Sequence, residues 1–176
     1  YDPDRIATMY QQLSSFLGIT LDFEPYHERA LAEMEQTRAW LKGLKVAVGS
    51  NLNGSTFEVA DVLAQCGVHI PFLIAEEMEP EDLPFIEDLC QRNPDIPVYP
   101  GTHPAMSLVR RIPIETDVAI GFDAARCAPD AAPMPLGCDV QPFGYNALSY
   151  LTCHMHSAVH QGASAKELLY SQTLVV

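Results

Sequence analysis

The stretch VAVGSNLNGSTF, Val46 to Phe57, decides how the rest of the chain is read. A short apolar strand runs into a glycine-bracketed loop, and the loop runs into a helix. That order is the first half of a βαβ unit. Gly49, four intervening residues and then Gly54-Ser55-Thr56 stand one residue away from a phosphate-cradling P-loop. Ser55 occupies the lysine position, and a hydroxyl gives neither the charge nor the charge-assisted hydrogen bonds of an ammonium. The G-x-G-x-x-G dinucleotide signature is absent too, since the loop holds only Gly49 and Gly54. ATP or GTP hydrolysis is therefore not expected here. Two roles fit the loop. The free N–H groups of the following helix could hold an anionic or polar cofactor edge, with Asn51, Asn53 and Ser55 as donors. Alternatively, Asn53 or Ser55 caps the helix and nothing more.

Outward from this loop the chain alternates strand and helix. Upstream, residues 3–18 and 24–43 read as helices, the first with an apolar face of Ile6, Met9, Leu13, Phe16 and Leu17 and a stop at Gly18. The second keeps Ala30, Leu31, Met34 and Leu41 at helical spacing and ends before Gly43. Downstream, the helix over roughly 55–66 is followed by a strand in VHIPFLIA and a helix in EPEDLPFIEDLCQR. A weaker strand in IPVYP and a third helix in HPAMSLVRR come next, then the uninterrupted strand TDVAIG. FDAARCAPDAA reads as a loop, and PMPLG as a short strand too rich in proline to sit centrally. GYNALSYLTCHMHSAVHQG closes the unit as a long helix.

Strands separated by helices form a parallel sheet covered on both faces. The expected fold class is α/β, a doubly wound, mainly parallel sheet of about five strands, Rossmann-like or flavodoxin-like, preceded by two helices. The expected organisation is a helical lead-in over 1–43, the α/β domain over 44–162, and a short helix and tail over 163–176, where Ser164 and Glu167 make a capping box.

Composition narrows the function. The 176 residues suit one domain, able to bury roughly 70% of its unfolded surface. A net charge of −13 repels phosphodiester backbones and anionic lipid, so nucleic acid and membrane are not expected partners. No apolar run approaches the ~20 residues a bilayer span requires. No secretory leader is read at the start, and an opening at Tyr1 without methionine suggests a piece of a larger protein. Cys66, Cys90, Cys127, Cys138 and Cys153 are odd in number and form no C-x-x-C pair, which fits a reducing, cytoplasmic setting and mostly buried thiols.

In an open parallel sheet, ligands lie beyond the carboxyl ends of the strands. Those ends carry Gly49-Ser50-Asn51, Ala75-Glu76-Glu77, Pro100-Gly101-Thr102-His103, Gly121-Phe122-Asp123 and Gly137-Cys138-Asp139. Glycine there permits close backbone approach to a ligand or simply ends the strand. Cys138 sits on such a loop, where access suits a ligand or nucleophile, although Asp139 would raise its thiol pKa. Cys127 is a weaker candidate of the same kind. A separate stripe on the last helix aligns Ser149, Cys153, His156 and His160, and the two histidines at i, i+4 could clamp a metal. The same stripe flanks an apolar face of Leu148, Leu151, Thr152, Met155 and Val159, so a half-buried rim or subunit contact is the alternative. His154 points elsewhere, into solvent.

Taken together these segments resemble nitrogenase component-1 subunits and their relatives. EMEQTRAWLKGLKVAVGSN is similar to the long helix and lysine-glycine turn through which that family enters a Rossmann-like domain. VADVLAQCGVHI fits the helix and glycine turn before its second strand. IETDVAIGFDAARCAPDAAPMPLG is similar to its strand, helix and proline-ended strand. FGYNALSYLTCHM fits the closing helix start, with Ala147 in place of the usual glycine, and DRIATMYQQLSSFLG resembles the helix ahead of the domain.

The resemblance implies a cytoplasmic, heteromeric oxidoreductase subunit, or a cofactor-assembly scaffold or tetrapyrrole reductase of the same family. It implies a sister component-1 subunit and an ATP-dependent iron–sulfur reductase as partners. It also implies a metal or iron–sulfur cluster or a tetrapyrrole in the full protein, with none held by these residues alone. Under it, the loop residues Gly49, Ser50, Asn51, Asn53, Gly54 and Ser55 would line the cofactor side, beside the strand-end candidates Gly121, Asp123 and Gly137. Cys138 would fall where the family's catalytic subunit places a metal-binding histidine; the helix stripe of Cys153, His156 and His160, read from spacing alone, is the alternative metal set. Two other functions compete: a small-molecule or metal-chelate binding module of Rossmann-like fold without redox catalysis, and a structural assembly domain with a vestigial cleft.

Overall fold

The computed structural model describes residues 1–50, 52, 54–134, 136 and 143–161. Helices α1 (Pro3–Leu17) and α2 (Glu24–Leu41) precede the sheet. The sheet and its crossovers then follow as β1 (Val46–Val48), α3 (Thr56–Gln65), β2 (Leu73–Ala75), α4 (Leu83–Arg92), β3 (Val98–Pro100), β4 (Val118–Ile120), α5 (Phe122–Cys127), β5 (Ala132–Met134) and α6 (Asn146–Gln161). All strand pairings are parallel, in the order β3-β2-β1-β4-β5. That order is the Rossmann type, with the direction of winding reversing between β1 and β4.

Period-two alternation splits the sheet between two cores. Val46, Val48, Val118 and Ile120 face the core shared with α2, α3, α4 and α6. Ala47, Ala119, Phe72 and Ile74 face the opposite core, made with Ala124, Ala125, Cys127 and Ala128. Alanine dominates that second face, which lets the short α5 lie close against the strands. The proline-rich strand is at an edge as expected, with Pro133 in β5, and Pro100 ends the other edge strand, β3, where a missing N–H costs least.

Three local expectations are corrected. The third helix expected over 103–111 is a 3-10 turn, Pro104–Leu108. Arg126 Nη1 donates to the carbonyls of Met106 and Val109, and Ile112 N–H donates to Cys127 C=O, so the chain leaves the helix for an extended path. The segment read as a loop, 122–132, contains helix α5, which is too short to show a helical period in sequence. On α1 only Ile6 of the expected apolar stripe is buried, while Met9, Leu13, Phe16 and Leu17 are exposed. The capping box at Ser164 and the tail beyond lie outside the described residues. Among the described residues no helix is long and apolar enough to cross a membrane.

Candidate functional site

Gly121 ends β4 with φ 89°, a left-handed value that glycine adopts without a Cβ penalty. The chain therefore turns straight into α5 and sets Asp123 in its first turn. From there the carboxylate reaches back over β1. Ser50 N–H and Ser50 Oγ–H both donate to Asp123 Oδ2, each at 2.8 Å, across 73 residues of sequence. Asp123 Oδ1 is buried without a hydrogen-bond donor and rests between two glycines. A Cβ on Gly49 would lie 1.9 Å from that oxygen, and one on Gly121 would lie 3.1 Å from it. Glycine at 49 thus makes room for the protein's own carboxylate. Because β1 and β4 are the strands at which winding reverses, Asp123 bridges the crevice where this fold class binds ligands.

Ser55 and Thr56 of the opening loop are likewise committed. Ser55 Oγ accepts from the N–H groups of Phe57 and Glu58, so it caps α3. Thr56 Oγ–H donates to Gly49 C=O at 3.0 Å, tying the helix start to the strand tip. Gly54 holds φ 136°, a conformation that disfavours a side chain.

Beyond the strand tips, on the α5 side, lies an open cleft of about 490 Å³ lined by Ser50, Glu76, Gly101, Met106, Asp123 and Arg126, with Ile74 and Phe122 as apolar wall. It gathers Ser50 and Asp123 with the strand-end residues Glu76 and Gly101. Gly101 is close-packed here, since a Cβ would meet Ile74 and Ser50 Oγ at 3.2 Å. Arg126 was not singled out from sequence. It stands three residues after Asp123, on the same side of α5, and that i, i+3 relation is visible only once the segment is known to be helical. The cleft offers two carboxylates, a guanidinium engaged with backbone carbonyls, and a hydroxyl.

A second groove, about 290 Å³, runs between α2 and α6 and is lined by Glu33, Thr37, Trp40, Ser149, Cys153 and His156 among others. The His156 ring meets Trp40 edge-on at 5.3 Å, and the His156 and His160 rings are 4.1 Å apart. Cys153 is an exposed free thiol. His154 is turned to solvent and stacks on Tyr150. Leu148, Leu151, Thr152 and Met155 are buried as the expected apolar face, while Val159 is exposed.

Cys66 and Cys127 are buried, and Cys90 is exposed. Burial pushes the Cys66 thiol up to about 11 and also raises Cys127, which removes thiolate character from both. Asn51, Asn53, Gly137 and Cys138 lie outside the described residues. Among the described residues, no group of three or more His, Cys, Asp or Glu side chains is gathered to hold a metal ion.

No protein-family model and no curated protein matches the chain. Among solved structures it is similar to nitrogenase Cp1 at pH 6.5, with a TM-score of 0.66 at 14% identity. The match covers 89% of this chain and 37% of that one, so the chain spans little more than a third of the length of the protein it resembles. At that identity the likeness is one of fold: a nitrogenase component-1-like α/β domain. Iron–sulfur clusters are held by thiolates. The described cleft residues include no cysteine or histidine, so they do not fit as a ligand set for such a cluster.

Proposed function

We propose that this chain is a domain of a nitrogenase-like oxidoreductase component-1 subunit, and that its strand-tip cleft forms one wall of a metal-cluster or tetrapyrrole site. The observation that carries this reading is the shared fold with nitrogenase Cp1 across 89% of the chain. Ser50, Gly101, Asp123 and Arg126 supply shape and polar contacts to the wall. Metal ligands come from elsewhere, with Cys138 a candidate from the sequence. Electrons come from an ATP-dependent iron–sulfur reductase, in keeping with Ser55 at the P-loop lysine position. A sister component-1 subunit completes the site, and these residues alone are not catalytically complete. The natural gene product, purified anaerobically from its own host, is expected to contain iron and sulfide or a bound tetrapyrrole and to co-purify with a second subunit. A colourless protein that stays monomeric after anaerobic reconstitution would refute it.

A second reading is a binding module for a small molecule or metal chelate, without redox chemistry. The absence of cysteine and histidine from the described cleft residues favours it. It is distinguished by saturable binding of a chelate such as ferric citrate with no redox-active group in the purified protein.

A further inference from the structure

Helix α6 carries two imidazoles that the strand-tip cleft does not use. His156 and His160 are one turn apart, with ring centroids separated by 4.1 Å and planes inclined at 51°. Side chains at i and i+4 share a helix face, so both rings stand over the same patch of surface. Three of the other four histidines are occupied: His27 Nε2 faces Asp4 at 3.5 Å, His103 Nδ1 accepts from Ala105 N–H, and His154 Nδ1 contacts Tyr150 C=O. Neither His156 nor His160 makes a hydrogen bond or ion pair among the described residues. His156 is held in place from the side by the Trp40 indole, edge-on at 89°. That contact limits the ring's freedom at the mouth of the α2–α6 groove and lowers the ordering cost of ligation.

We propose that His156 and His160 form a two-imidazole site for a borderline divalent transition ion such as Zn²⁺, Ni²⁺ or Cu²⁺. Imidazole nitrogen suits these ions, binding them at about 2.0–2.1 Å, whereas Mg²⁺ and Ca²⁺ prefer oxygen. Both histidines are exposed, so water completes the coordination shell. The gain over one imidazole is the effective concentration of the second, fixed on the same helix face. This proposal is independent of the functional reading above, because no residue of the strand-tip cleft takes part.

The protein reports on this site itself, because Trp40 is its only tryptophan and lies against His156. Titration with Ni²⁺ is expected to quench Trp40 fluorescence saturably at one ion per chain, with calorimetry giving the same stoichiometry. His160→Ala, which leaves the Trp40 contact intact, should weaken Ni²⁺ binding at least about tenfold in both measurements. His156→Ala should do the same by calorimetry, and His154→Ala should bind like the parent. Unchanged Ni²⁺ binding in His160→Ala would overturn the proposal. So would quenching without saturation, or binding lost in Cys153→Ser and kept in His160→Ala.

Discussion

Replacing Gly49 by alanine isolates the contact that closes the β1–β4 crevice. The three atoms nearest the new methyl all belong to Asp123: Oδ1 at 1.9 Å, Cγ at 2.7 Å and Oδ2 at 3.1 Å. No real Cβ tolerates the first two, so the carboxylate must swing away. Gly49 is not in the left-handed region, and its N–H already donates to Ile120 C=O, so the backbone itself accepts alanine. The cost is the pair of 2.8 Å hydrogen bonds from Ser50 to Asp123 Oδ2. Hydrogen bonds to charged groups contribute about 1.5–3 kcal/mol each. Asp123 is partly buried and, once swung outward, recovers part of that from water, which leaves a net loss of about 2–4 kcal/mol. In an Asp123→Ala background the methyl enters space already vacated. The same Gly49→Ala change should then be neutral, or stabilising by about 0.4–1 kcal/mol through the unfolded chain. Urea denaturation of the parent, both single variants and the double variant gives the coupling directly. A coupling of about 2–4 kcal/mol is expected. If Gly49→Ala costs the same in both backgrounds, Asp123 is not what requires glycine at 49.

Three further outcomes follow from the same geometry. Ser55→Ala removes the cap from α3 and should cost about 1 kcal/mol in urea denaturation, with Ser55→Asn largely restoring it; equal loss in both variants would mean the cap is not the cause. Asp61 is buried between α3 and α4, accepting from Arg92 and from Gln65 Nε2. Burial, the largest effect, lifts its carboxyl above the ordinary range, and the contacts with Gln65 and Arg92 only partly pull it back. The folded state therefore holds this proton more tightly than the unfolded chain does. Its contribution is complete below the unfolded pKa near 3.8 and fades as pH rises through the folded value. The penalty of Asp61→Asn should accordingly be larger at pH 4 than at pH 7, and the opposite trend would show that the Arg92 pair outweighs burial. Finally, Arg126→Ala frees the carbonyls of Met106 and Val109, both of which accept from Nη1. Proteolysis near residues 104–111 should quicken in Arg126→Ala, while an unchanged cleavage pattern would refute the clamp.

The helices and strands that announce themselves by neighbouring residues were legible in advance. Gly18 adopts φ 63° to stop α1, Ser55 caps α3, and the apolar runs at Val46–Val48 and Val118–Ile120 are buried strands, because caps and periodicity act within a few residues. Proline content placed β5 at an edge for the same local reason. Where local and distant demands competed, the sequence misled: residues 104–111 contain helix-forming residues, but Arg126 and Cys127 take their backbone groups, and α1 buries Ile6 while leaving Met9, Leu13, Phe16 and Leu17 in solvent.

What the sequence alone determined is the alternation of parallel strands and helices, and glycine at several strand tips. The strand order β3-β2-β1-β4-β5 was beyond it, since right-handed crossovers permit more than one order and only side-chain packing on the two faces selects among them. The meaning of Gly49 was beyond it too. Its spacing to Gly54 suggested a place kept open for a ligand, yet the space is filled by a carboxylate 74 positions along the chain, brought there when β4 docks beside β1.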